Sequence, residues 1–147
     1  QAVVESVPLA MLQFHGNESR SFCESFCRPY LKVIRVPNIS ESGDSSSAVT
    51  ARIRDEVAAH PNAVGFLLDT AVANSAGGTG ETFDWSVIPS DLAKPIVLAG
   101  GLTANNVGVA IQQVKPFAVD VSSGIELVPG RKDKALMTEF IASVEKA

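Results

Sequence analysis

Five short apolar runs, Leu9–Phe14, Leu31–Val36, Ala63–Leu68, Ile96–Ala99 and Phe117–Val121, recur along the chain at intervals of roughly 20 to 33 residues. Each is bounded by glycine, proline or polar residues, and helical patterns fill much of the sequence between them. A continuous apolar run of this length fits a parallel strand buried on both faces, and parallel neighbours require a crossover connection. The spacing therefore predicts an α/β fold built from right-handed βαβ units. Two architectures accommodate it. A doubly wound, open five-stranded parallel sheet needs only these elements, whereas a (βα)8 TIM barrel, at about 250 residues, needs about three more units.

The intervening patterns fill in the organisation. Asn17–Arg28 reads as a helix begun by Asn17 or Ser19 and stopped by Pro29, and the stretch NISESGDSSS after Pro37 reads as a polar loop. Ala48–His60 carries Val49, Ile53 and Val57 at four-residue spacing, and Pro61-Asn62 ends it. A long small-residue loop, TAVANSAGGTGETFDW, leads to a short helical turn around Asp84–Ile88; loops of that length and glycine content are commonly functional. Helices are expected at Thr103–Val114, with Val107, Ala110, Ile111 and Val114 in one stripe, and at Asp133–Lys146, with Leu136, Phe140, Ile141 and Val144 on the buried side.

With 147 residues, 46% hydrophobic and 19% charged, the chain suffices for a single domain spanning 1–147 with a sizeable core. A net charge of -4 and a pI near 5.1 argue against nucleic-acid or membrane-surface partners, because no basic face meets a phosphate backbone. A discrete small anion remains compatible. No run approaches the ~18 apolar residues of a spanning helix and no signal peptide is visible, so a cytoplasmic location is expected. Cys23 and Cys27, at i and i+4, are expected as a buried thiol pair on one helix face. With His15 and His60 at no recognisable spacing to them, neither a metal site nor a disulfide framework is expected.

In a parallel α/β fold the polar residues at the carboxyl ends of strands converge on one face. Here those ends carry Gln13 and His15, Arg35, Asp69, Gly100 and Gly101, and Asp120 with Ser122, Ser123 and Gly124. PIVLAGGLT and FAVDVSSGIE each end in small residues that leave backbone N–H groups bare, and each is followed by a helix whose positive end attracts a dianion. The same residues also serve as simple tight turns. Two such ends on consecutive strands match the usual phosphate site of a barrel, the loops after its last two strands. Asp69 closes an apolar run, and partial burial there raises a carboxyl pKa toward that of a proton donor; the other reading is an N-cap or loop anchor. Arg35 in an apolar strand needs a partner, either a substrate carboxylate or Asp69, or a structural ion pair. His15 is a general base or a turn residue, and Asp120 faces the sheet centre or caps a helix.

Four segments taken together resemble one family. QFHGNES (Gln13–Ser19), FLLDT (Phe66–Thr70) with GGTGETFDW (Gly77–Trp85), LAGGLTANNV (Leu98–Val107) and DVSSGIE with PGRKD (Asp120–Asp133) are similar to the phosphoribosylanthranilate isomerases of tryptophan biosynthesis, and the resemblance covers nearly the whole chain. It implies a (βα)8 TIM barrel and a cofactor-free Amadori rearrangement of N-(5'-phosphoribosyl)anthranilate. Asp69 matches the family's general acid. Gly100, Gly101, Ser122, Ser123 and Gly124 match its phosphate loops, and Gln13, His15, Arg35 and Asp120 match positions lining the same mouth. Gly78 lies in a GGTG segment similar to one that closes beside the substrate.

The resemblance also implies a cysteine base at the end of the family's first strand and an arginine after its second. By matching order Leu9–Phe14 corresponds to the fourth strand, so neither position falls within this sequence and the first three βα units lie outside it. The expected partners are then a phosphorylated small-molecule substrate and the missing N-terminal segment or a second chain. Rival readings are another phosphosugar-binding barrel enzyme, such as an indole-glycerol-phosphate synthase or an epimerase, and a catalytically inactive phosphate-binding fragment. The rival enzymes want a lysine or metal ligands at strand ends, and Lys32 lies within a strand.

Overall fold

The computed structural model describes residues 2–71 and 82–147. Gly78 and most of the GGTGETFDW segment lie outside them. Five strands form one sheet: β1 (Leu12–Phe14), β2 (Tyr30–Pro37), β3 (Gly65–Ala71), β4 (Ile96–Leu98) and β5 (Ala118–Val119). Every neighbouring pair is parallel and the spatial order is β1-β2-β3-β4-β5. A doubly wound sheet reverses its strand order at a switch point. This one does not reverse, so the doubly wound alternative is corrected to a singly wound sheet.

When every right-handed crossover advances the same way, the helices gather on one face. The core follows that rule. Tyr30, Ile34, Val36, Phe66, Leu68 and Leu98 point to one side of the sheet and pack with Val49 and Ile53 of α4 (Ser46–Ala59), Val107 and Ala110 of α5 (Val107–Val114), and Phe140 of α6 (Lys134–Glu145). Fully buried Phe66 and Leu68 each contribute roughly 1.5–3 kcal/mol relative to exposure. The alternate residues Val33, Leu67 and Ala99 form a smaller cluster with Val97 on the opposite face.

Helix α1 (Ala2–Ser6) precedes β1, and α2 (Arg20–Glu24) follows it. The Ser19 hydroxyl caps α2 by accepting from the Phe22 amide. The helix stops at Glu24 rather than reaching Arg28, and Cys27 adopts a left-handed backbone with φ 49°. As a result Cys23 is buried and Cys27 exposed, so the expected thiol pair does not form. Phe14, Phe22, Phe26 and Tyr30 stack around this corner and fix β1 beneath its loop.

Three other stretches differ from the sequence reading. A short helix α3 (Ile39–Ser42) forms inside NISESGDSSS, because the Asn38 side chain accepts from the Ser40 amide and Gly43 closes the turn. PGRKD lies in a hairpin of β6 (Glu126–Val128) and β7 (Arg131–Lys132) that turns at Pro129-Gly130. On α6, Phe140 is buried but Ile141 is exposed. The turn expected around Asp84–Ile88 is a single 3-10 turn, Trp85–Val87, capped by Asp84. Among the described residues no helix is long and apolar enough to cross a membrane.

Candidate active site

The carboxyl ends of the strands open onto a cavity of about 540 Å³. Gln13, His15, Arg35, Asp69, Gly100, Gly101, Asp120, Ser122, Ser123 and Gly124 all line it. Parallel pairing causes this convergence. Alternation along each strand sends Gln13, Arg35 and Asp69 to the side of the sheet away from the helices.

Strand β3 does not end on Asp69 but runs on to Ala71, so Asp69 is held inside the ladder with Arg35 directly opposite. Its side chain is half-buried, and its partner is not Arg35. His15 Nε2 stands 3.3 Å from Asp69 Oδ2, reaching over from the loop after β1. Arg35 is exposed, and its guanidinium has no acceptor among the described residues. Of the partners expected for Arg35, Asp69 and a structural ion pair are therefore corrected: neither is made among the described residues. Asp120 lies just past β5 rather than one residue before a strand end, its amide bonded to the Leu98 carbonyl at 2.8 Å.

The two small-residue loops meet at this mouth. Gly100, at φ 82°, passes so close to β3 that a side chain there would collide with the Thr70 backbone and hydroxyl and with Asp69 Oδ1. A Cβ on Gly124 would collide with the Leu102 carbonyl, so the loop after β5 is packed directly on the loop after β4. Within these loops the amides of Gly100, Gly101, Leu102, Ser122, Ser123 and Gly124 donate to no acceptor among the described residues. Backbone N–H groups seldom go unpaired unless a ligand or water takes them.

The source of these amides differs from the sequence expectation at β4. Helix α5 starts at Val107, not Thr103, because Asn106 Oδ1 accepts the Thr103 amide at 2.8 Å and Asn106 Nδ2 donates to the Gly101 carbonyl at 3.0 Å. Asn106 thus clamps the Gly-Gly loop and takes up a would-be helix-terminal donor. After β5 a 3-10 turn, Ser123–Ile125, follows Ser122.

Sequence reading missed three residues here. Lys132, on β7, donates to the Ser122 carbonyl at 2.7 Å, to Ser122 Oγ at 3.2 Å and to Glu126 Oε1 at 2.8 Å. That ammonium, with the Gly130 amide, holds the Glu126 carboxyl below its ordinary range. The Asn106 clamp is the second. The third is Thr70, buried beneath Gly100, whose hydroxyl finds no partner among the described residues. All three lie inside the motifs FLLDT, LAGGLTANNV and PGRKD, but nothing in those motifs singles them out. Among the described residues no group of three His, Cys, Asp or Glu is arranged around a metal.

Fold and site together define a class: a parallel, singly wound α/β protein with its polar strand ends on one face, beside two loops of open amides. Residues 1–143 match the family described as N-(5'-phosphoribosyl)anthranilate (PRA) isomerase, and the chain belongs to that family. It is 51% identical to the N-(5'-phosphoribosyl)anthranilate isomerase of Pseudomonas aeruginosa (strain LESB58) over 97% of this chain and 62% of that protein. The chain thus spans a little under two thirds of the relative's length. The crystal structure of phosphoribosyl anthranilate isomerase from Thermotoga maritima superposes with a TM-score of 0.78 at 34% identity, covering 99% of this chain and 66% of the other. A phosphoribosyl anthranilate isomerase in complex with reduced 1-(o-carboxyphenylamino)-1-deoxyribulose 5-phosphate matches with a TM-score of 0.67 at 29% identity, over 99% and 64%.

Proposed function

We propose that this chain carries the phosphate-binding and general-acid part of a phosphoribosylanthranilate isomerase, converting N-(5'-phosphoribosyl)anthranilate to 1-(2-carboxyphenylamino)-1-deoxyribulose 5-phosphate in tryptophan biosynthesis. The observation that carries this reading is the pair of open-amide loops facing Asp69 across one cavity, in a chain of this family. The substrate phosphate sits on the amides of Gly100, Gly101, Ser122, Ser123 and Gly124, the site that loops after the last two strands of a barrel usually form. Neutralising a dianion with oriented N–H groups needs no basic surface, which agrees with the net charge of -4.

With the phosphate anchored, the ribose ring lies toward Asp69. Asp69 donates its proton to the furanose oxygen, the C1–O bond breaks, and the nitrogen lone pair forms a Schiff base. Loss of the C2 proton to a base then gives the enolamine, and tautomerisation yields the ketose; no redox cofactor takes part. Arg35 is free to hold an anionic substrate group. Gln13, His15 and Asp120 complete the mouth. The singly wound sheet is an arc of a (βα)8 TIM barrel forming one domain, whose edges β1 and β5 pair with strands of a further segment or of a second chain.

The test is Asp69→Asn. Turnover of phosphoribosylanthranilate by the protein should fall by about 10²–10⁴-fold, while inorganic phosphate binds within twofold of wild type by calorimetry. Loss of phosphate binding as well, or retention of turnover, refutes the role given to Asp69.

A further inference from the structure

Lys32 lies in the middle of β2, on the helix-facing side of the sheet with Tyr30 and Ile34, and its side chain is only 3% exposed. A buried ammonium is costly to desolvate unless its partners are well placed. Nζ donates to the Gly16 carbonyl at 2.5 Å, to Glu18 Oε2 at 3.3 Å and to the Val33 carbonyl at 3.3 Å. The Glu18 carboxylate in turn accepts the Gly16 amide through both oxygens, at 3.0 and 2.9 Å. Burial opposes the charge on Glu18, but its own amide, the Gly16 amide and the Lys32 ammonium outweigh it and hold the carboxyl below its usual range.

The loop after β1 is therefore wound around one carboxylate that a buried cation fixes from below. His15 immediately precedes Gly16. Its ring is about half exposed, and its contact with Asp69 is its only polar contact among the described residues. The position of the imidazole thus depends on the backbone that carries it. Lys32 and Asp69 face opposite sides of the sheet by the alternation of strand residues, so Lys32 does not enter the cavity that holds Asp69.

We infer that Lys32, acting through Glu18, is a positioning residue that sets the His15 imidazole against the Asp69 carboxylate. The inference rests on the reading of Asp69 as the general acid, because it concerns how that acid is oriented. A loop that must hold a ring to within a fraction of an ångström on an open face needs a fixed internal anchor. An apolar residue at position 32 would pack as well but would give the loop no bond.

Two readouts test it. In the wild-type protein, Asp69→Asn should shift the ring resonances of His15 by NMR; in the Lys32→Met protein the same substitution should leave them nearly unmoved. In turnover, Lys32→Met should lower kcat about tenfold with KM within twofold, and it should cost nothing further when added to His15→Ala. Additive losses, or an undiminished response of His15 to Asp69→Asn in the Lys32→Met background, would overturn the inference. Should Lys32→Met fail to fold, Glu18→Gln/Lys32→Met removes the whole ion pair without orphaning a buried charge and supplies both readouts. A wild-type protein without isomerase activity sinks the proposed function, and the resonance experiment still decides the role of Lys32.

Discussion

Gly124→Ala isolates the packing of one small-residue loop on the other. Gly124 does not use a left-handed backbone, so alanine incurs no conformational strain there. Its new methyl would instead stand well inside 3.0 Å of the Leu102 carbonyl oxygen, and 3.2 Å from Val121 Cγ2. Ordinary contact begins at 3.4 Å, and a carbonyl cannot rotate aside as a side chain can, so the loops must part by on the order of 1 Å. Overpacking of this kind costs ~1–3 kcal/mol, which lowers Tm by roughly 3–10 °C for a chain of this size. The effect on function should be comparable to the effect on stability. A displacement of that size at a positioning site costs about 100-fold in kcat/KM, or about 2.7 kcal/mol of transition-state stabilisation. Calorimetric titration with inorganic phosphate should show weakened binding, and phosphate should raise the Tm of wild type but not of Gly124→Ala. Gly108→Ala is the matched control, because its methyl has room in α5, 4.0 Å from the Ser143 carbonyl. It should leave phosphate binding unchanged and stabilise by up to ~1 kcal/mol. A Gly124→Ala protein that binds phosphate like wild type would show that the loops do not depend on this approach.

Two further outcomes follow from single contacts. Lys132→Met removes the brace on Ser122 and should weaken phosphate binding about five- to tenfold; unchanged affinity means the hairpin only caps the sheet end. His60 is buried and bonded to Tyr30 Oη at 3.4 Å, and burial, then the nearby Lys32 charge, push its pKa below 6.5. The unfolded chain therefore binds a proton on His60 at a higher pH than the fold does. Stability is full above pH ~6.5 and declines as pH falls below it, by up to ~1.4 kcal/mol per pH unit from this group. Chemical denaturation of wild type and His60→Phe between pH 5.5 and 7.5 measures it, and parallel curves would rule the histidine out as the cause.

The strand cores and the polar strand ends were legible in the sequence because both follow from one constraint. A parallel strand is buried on two faces, so it appears as an unbroken apolar run, and its first polar residue marks where burial stops. Ten candidate residues could be named on that ground, and they line one cavity. The elements that went unread are those decided by a side chain reaching back to the backbone. Asn38 starts a helix in a stretch of loop composition, and Asn106 delays α5 by accepting the Thr103 amide. Periodicity is blind to both, because the competing conformations have the same apolar pattern. Lys132 was hidden for a different reason: it lies ten residues from Ser122, across a hairpin that no apolar alternation announces.

The partner of Asp69 shows where register and reach part company. Arg35 lies directly across the ladder from Asp69, on the same face, and charge alone would join them. An arginine next to a strand carboxylate extends its guanidinium toward solvent at little cost, whereas closing back on its neighbour confines several rotors. His15 has a short, stiff ring carried on a loop that the Lys32–Glu18 pair already fixes, so little freedom remains to be lost when it meets Asp69. Pairing the acid with the histidine leaves the arginine available to an anionic ligand in the same cavity. On the activity proposed above, Arg35→Gln should then raise KM for N-(5'-phosphoribosyl)anthranilate and leave inorganic phosphate binding unchanged. A loss confined to kcat would instead point to an unseen contact with Asp69.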